Sequence, residues 1–109
     1  MDEIKHGLLA KAKANLILEH DEDDELLAGF IAAAVSYAED RQHKPEGFYL
    51  RRKTKMRPTT EQAVIMLASH FYESRDGGTG GFFTDSTAAA RQVWDTVNAL
   101  LRMNKEVAL

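Results

Sequence analysis

Apolar residues recur along this chain at helical spacing in four separate runs, and no alternation of period two lasts long enough to suggest a pair of strands. In the first run Ile4, Leu8 and Ala12, with Leu9 alongside, predict a helix over about 3–16. Gly7 weakens it by about 1 kcal/mol relative to alanine. In the second run Leu26, Leu27, Phe30, Ile31, Ala34, Tyr37 and Ala38 follow the i, i+3, i+4, i+7 pattern and predict a helix over 22–43. Ala28, Ala32 and Ala33 flank that stripe and leave room for another helix to come close. Asp21, Asp23 and Asp24 stand at its start, where a carboxylate accepts from unpaired backbone N–H groups and suits the positive end of the helix dipole. Pro45 disfavours helical geometry at Lys44 and closes the run.

Thr59 and Gln62, behind Pro58, read as a capping box that opens a third helix over 60–75. Its apolar face carries Ala63, Met66, Leu67, His70, Phe71 and Ser74. Asp76 and the run Gly77, Gly78, Thr79, Gly80, Gly81 stop it. A cap at Asp85 or Ser86 predicts a last helix over 86–103, with Val93, Val97, Leu100 and Leu101 inward and Trp94 on the flank. Segments 44–58 and 76–85 are then long loops. Phe48, Tyr49, Leu50 and Met56 are placed to pin 44–58 to the core, and that segment also has room for a short extended pair. The expected fold is a single all-α domain, a small bundle of four or five helices with long loops. Leu27, Phe30, Ile31, Ala34, Met66, Leu67, His70 and Phe71 form its expected core.

A chain of 109 residues buries only about two-thirds of the surface its unfolded form exposes, so association with a partner would add usefully to a modest core. The absence of cysteine excludes a disulfide framework and thiolate metal sites and fits a reducing compartment. The first residues lack an apolar run long enough for a signal peptide or a membrane span, so a soluble protein made in the cytoplasm is expected. The net charge of -3 conceals a segregation. Between Arg41 and Pro58 seven basic residues face one acid, Glu46, a balance of +6 that leaves -9 for the rest of the chain. Charge separated in this way can align neighbouring copies or attract a polyanion.

Candidate chemistry is sparse. Asp21, Asp23 and Glu25 alternate as early calcium ligands would, but the EF-hand loop requires Gly at its sixth place and Glu at its twelfth, where this chain has Leu26 and Ala32. His6, His20, His43 and His70 are scattered. His70 and Glu73 reverse the Glu-x-x-His order of di-iron bundles, and no second copy exists. The glycine run lacks the Lys-Ser/Thr ending of a phosphate loop and follows a helix rather than a strand. Ser36, Ser69, Ser74 and Ser86 lie in helices or at caps, away from any nucleophile elbow. No catalytic residue, cofactor or metal is therefore assigned, and an enzyme is not expected.

The polar lead is the cluster Arg51, Arg52, Lys53, Lys55 and Arg57, which suits phosphates or an acidic protein surface. Asp21, Asp23 and Asp24 offer such a surface on a neighbouring copy. Phe82 and Phe83, after the glycines, either fold back on the core or dock into a neighbour, and the sequence leaves both open.

The acidic turn feeding an alanine-rich helix (HDEDDELLAGFIAAA, ending SYAE), the later helix QAVIMLASHFYESRD, and the closing Val97, Leu100, Leu101 and Arg102 together resemble the head–tail connector, or adaptor, family of tailed bacteriophages, whose members are also described as DNA-packaging proteins. The resemblance spans most of the chain outside 44–58 and 76–90. It implies a virion protein with a structural role, a subunit of a homo-oligomeric ring, a dodecamer in the virion, that sits between portal and tail-completion protein and extends the DNA channel. The isolated subunit is expected to be monomeric when dilute. The alternative is a small helical DNA-binding or regulatory protein that uses 44–58 directly.

Overall fold

Four helices follow one another in the chain: α1 (Glu3–Leu16), α2 (Asp24–Arg41), α3 (Pro58–Ser74) and α4 (Phe82–Arg102). This computed structural model describes the backbone of residues 3–74 and 82–103, and the side chains of 4–74 and 88–103. No strand occurs among the described residues, so the protein is an all-α bundle. The connection 44–58, expected as a long loop with room for a short extended pair, forms turns over 46–53.

Side-chain contacts fix the helix directions. Lys11 and Asn15 of α1 meet Glu61 and Ser69 of α3 in the same order, so α1 and α3 run parallel. Asp23, just ahead of α2, reaches Tyr72 late in α3, and Gln42, just past α2, reaches Thr60 early in α3, so these two helices run antiparallel. Trp94 packs on Phe71, while Leu101 lies by Gln42 near the start of α3, so α4 also opposes α3. The result is an up-down-up-down arrangement in which α3 touches all three other helices.

The central place of α3 changes its burial. One amphipathic stripe suits a helix with one neighbour, whereas α3 buries Thr60, Ala63, Val64, Ile65, Leu67, Ala68, Ser69 and Tyr72. Ala63 and Leu67 lie inward as their spacing implies, but Met66, His70 and Phe71 are only partly buried. The innermost apolar side chains are Leu27, Ile31, Val64, Leu67, Val97 and Leu101. Ala12, Ala34, Ala38, Ala63 and Ala68 are fully enclosed and let the helices approach closely. Phe30, also expected inside, joins Phe71 and Trp94 in a half-buried aromatic seam with centroid spacings of 6.0 and 6.1 Å. Tyr37 meets Trp94 edge-on at 5.2 Å, and His70 does so at 6.4 Å. Such tilted pairs favour the ring quadrupoles and contribute about 0.5–1.5 kcal/mol each beyond the area they bury.

Three helix or turn ends close through a residue in the left-handed region. Beyond α1, Leu18 N–H donates to Lys13 C=O (2.9 Å) and Ile17 N–H to Ala14 C=O (3.2 Å), with Ile17 at φ 57°. Beyond α2, Lys44 N–H donates to Glu39 C=O (2.8 Å) and His43 N–H to Asp40 C=O (3.2 Å), with His43 at φ 60°. These are Schellman closures, which ordinarily place glycine where Ile17 and His43 stand. Lys53, at φ 54°, precedes a similar bond from Thr54 N–H to Tyr49 C=O (3.1 Å).

The helix starts depart from simple capping. α3 begins at Pro58 with the Glu61 N–H donating to Arg57 C=O at 2.9 Å, so proline fills the first-turn position where its missing N–H costs nothing. Asp23 is the N-cap of α2, but its carboxylate makes no capping bond and accepts the Tyr72 hydroxyl instead. α4 opens at Phe82, ahead of the Asp85 or Ser86 cap.

Candidate assembly interface

The basic connection between α2 and α3 is held by buried polar groups. Glu39, only 4% exposed, accepts the Gly47 N–H at 3.2 Å and the Tyr49 N–H at 3.0 Å on its two carboxylate oxygens. Gln42, completely buried, donates from its amide nitrogen to Thr60 Oγ1 (2.9 Å) and to the Leu101 carbonyl (3.1 Å). Its amide oxygen accepts the Tyr49 hydroxyl. One side chain thus ties together the end of α2, the connection, the start of α3 and the end of α4. Burial pushes the Tyr49 hydroxyl above the usual tyrosine range. Gly47 sits at φ 80°, and a Cβ there would press on the Arg51 side chain at 3.0 Å, so glycine is required at that turn. The apolar stripe of α2 gives the one sequence signal for this hub, since its spacing runs on through Ala38 to Gln42.

On this frame Arg51, Arg52, Lys53, Lys55 and Arg57 are all exposed, and none makes an ion pair among the described residues. Beneath them Tyr49 and Met56 are buried, and Phe48 and Leu50 pack on the core. Lys44 Nζ lies 5.0 Å from the centre of the Phe48 ring, a cation–π contact.

The acidic turn lies at the other end of α2. That helix has 18 residues, so about 27 Å separates its ends at the standard rise. Asp21 and Asp24 both bind Lys13 Nζ, at 2.5 and 2.8 Å. With Asp23 engaged by Tyr72, all three aspartates expected to face a neighbour are used inside the subunit. Glu19, Glu22 and Glu25 are exposed and form no ion pair among the described residues. They add to the outward acidic charge of Asp21, which stays exposed beside Lys13. The glycine run falls outside the described residues. Phe82 and Phe83 open α4, and their side chains lie outside the described residues too.

The bonds from Lys13 hold the Asp21 carboxyl below the usual carboxylate range, and Asp21 and Asp24 raise Lys13 above the usual lysine range. A carboxyl whose folded value is depressed adds stability above its unfolded value, about 3.9, and loses it as pH falls through the folded value. A lysine whose value is raised adds stability below its unfolded value and loses it as pH climbs through the folded one. Thermal melts should therefore show the wild-type advantage over Lys13→Met at neutral pH and a narrowing gap on acidification below about pH 3.9. An unchanged gap at strong acid would mean that the ion pairs contribute nothing.

No helix among the described residues is long and apolar enough to cross a membrane. A family model described as "Phage gp6-like head-tail connector protein" matches residues 7–103, and this is the family that the acidic turn and the α3 sequence resemble. No curated protein and no solved structure matches the chain.

Proposed function

This chain belongs to the phage gp6-like head-tail connector family, a structural component of the virion rather than an enzyme class, and on that premise we propose that its subunits assemble head-to-tail into a ring between portal and tail. The observation that carries the ring is the polarity of the subunit. Exposed acid stands at one end of α2 and exposed base about 27 Å away at the other. Two unlike, complementary patches on one molecule make a heterologous contact, which closes into a ring when the rotation between copies is right. A small core gains from such closure, because each copy buries surface against two neighbours. In this reading the ring extends the DNA channel below the portal and offers its far face to the tail-completion protein.

The hub anchored on Glu39 and Gln42 gives the basic segment a fixed shape, so the surface offered to a neighbour is formed before assembly and little ordering entropy opposes docking. Light scattering over a concentration series, with and without portal protein, tests the ring. Monomer is expected in dilute solution, and a closed oligomer at high concentration or on portal. A monomer mass under every condition, portal included, would defeat the reading. A second reading, direct binding of DNA, is favoured by the five exposed cations at 51–57, which make no ion pair among the described residues.

A further inference from the structure

Ile17 is out of place in an isolated subunit. It is 81% exposed, and it occupies a left-handed backbone conformation that β-branched side chains avoid and that the helix closure around it would give to glycine. It stands at the end of α1 and leads into the acidic turn, with the exposed carboxylates of Glu19 and Glu22 just beyond. A branched apolar side chain fixed on an acidic projection is poorly suited to water and well suited to a socket that is apolar inside and basic outside.

The same molecule has such a socket. A groove of about 380 Å³ opens where the first half of α1 faces the basic connection. Leu8 and Met56, both buried, form its floor with Ile4, and the exposed Lys53 and Lys55 stand on its rim. Lys11, also on the rim, is held by Glu61 at 2.6 Å, so the uncompensated positive charge is that of Lys53 and Lys55. Ile17 does not line the groove of its own subunit: it lies about 20 Å along the helix from Ile4 and about 9 Å beyond Lys11, the last lining residue on α1.

We propose that Ile17, carried on the acidic turn of one copy, seats in the groove between α1 and the basic connection of the next copy, with Glu19 and Glu22 facing Lys53 and Lys55. The inference rests on the ring reading and adds to it the residues in contact. Knob and socket are different surfaces at opposite ends of α1, so the contact is heterologous and propagates from copy to copy. The unfavourable backbone of Ile17 is then a local cost borne by the monomer and offset in the assembly.

The full chain has no cysteine, so introduced pairs report cleanly. The double variant Ile17→Cys with Lys53→Cys, oxidised at assembling concentration, should give a ladder of disulfide-linked multimers on a non-reducing gel. Neither single variant should go beyond trace dimer. Ile17→Gly should raise the melting temperature of the dilute monomer by roughly 5 °C through relief of the left-handed strain. The same change should weaken self-association about tenfold or more through loss of a buried isoleucine. A merely structural residue would not move the two readouts in opposite directions. Efficient dimer from Ile17→Cys alone overturns the proposal, since it marks a symmetric contact. Oligomers seen by light scattering with no ladder from the double variant, or with Ile17→Gly associating like wild type, overturn it and leave the ring standing. A wild-type protein that stays monomeric even with portal overturns the ring and this contact together.

Discussion

Gln42→Ala is expected to lower the stability of the folded subunit by about 3–5 kcal/mol, a large share of the roughly 5–15 kcal/mol that holds a domain of this kind together. The substitution removes three hydrogen bonds at a completely buried position and takes one partner from each of the Tyr49 hydroxyl, the Thr60 hydroxyl and the Leu101 carbonyl. Each abandoned buried group costs about 1–3 kcal/mol, and the space left by the side chain adds a cavity term. In a domain of about this length the melting temperature should fall by on the order of 15 °C. Gln42→Met fills the space without restoring the bonds, so it should recover only the cavity part. Tyr49→Phe removes one partner, and a double-mutant cycle with Gln42→Ala should show coupling of about 0.5–3 kcal/mol. Chemical denaturation measures all of these. A loss below about 1 kcal/mol for Gln42→Ala would show that the amide does not join the four segments in the way its bonds imply. The consequence reaches beyond stability, because this side chain and Glu39 fix the segment that bears the basic cluster.

Replacing Arg51, Arg52 and Lys53 together by glutamate should abolish self-association while leaving the monomer folded. All three side chains are exposed and make no ion pair among the described residues, so their loss breaks no internal ion pair. At the interface the change sets like charges opposite the acidic turn, and like-charge juxtaposition costs several kcal/mol, enough for a hundredfold loss or more. Changing Glu19 and Glu22 to lysine in a second protein should restore mixed association with the first, which a general loss of solubility would not do. The triple alanine variant separates the two functional readings. A connector subunit should show a defect mainly in assembly and weak DNA binding as a monomer in either form. A DNA-binding protein should lose duplex affinity in the free monomer, with a shallower dependence on salt. Sedimentation at several ionic strengths reads the first effect and fluorescence anisotropy with random duplex the second. If the triple glutamate variant assembles as wild type, the basic segment is not the contact surface.

Much of the architecture could be read along the chain, and the reasons are local. A period of 3.6 in the apolar positions depends only on residues a few places apart, so Leu8 and Ala12, Leu27, Ile31 and Ala34, and Val97 and Leu101 could be placed inward without knowing their partners. Capping preferences are local as well, and they are where the sequence misled. Asp23 stands at the N-cap and gives its carboxylate to Tyr72, because a hydroxyl brought up by α3 competes with the backbone N–H groups for the same oxygens. The pairing within the acidic turn is not local either. Its aspartates look available in the sequence, but Lys13 comes round one turn before the end of α1 and takes two of them.

The sequence by itself determined four helices, an alanine-lined approach between them, the likeness to a connector and the separation of base from acid. Only the tertiary structure decided what those features amount to. Burial on α3 follows the number of neighbours rather than the hydropathy of one stripe, so Val64 and Ala68 are enclosed while Phe71 and His70 stay at the edge. The hub at Gln42 draws together residues up to 59 positions apart, a convergence no local pattern encodes. The same is true of polarity: two charged segments become opposite poles only because an 18-residue helix stands between them.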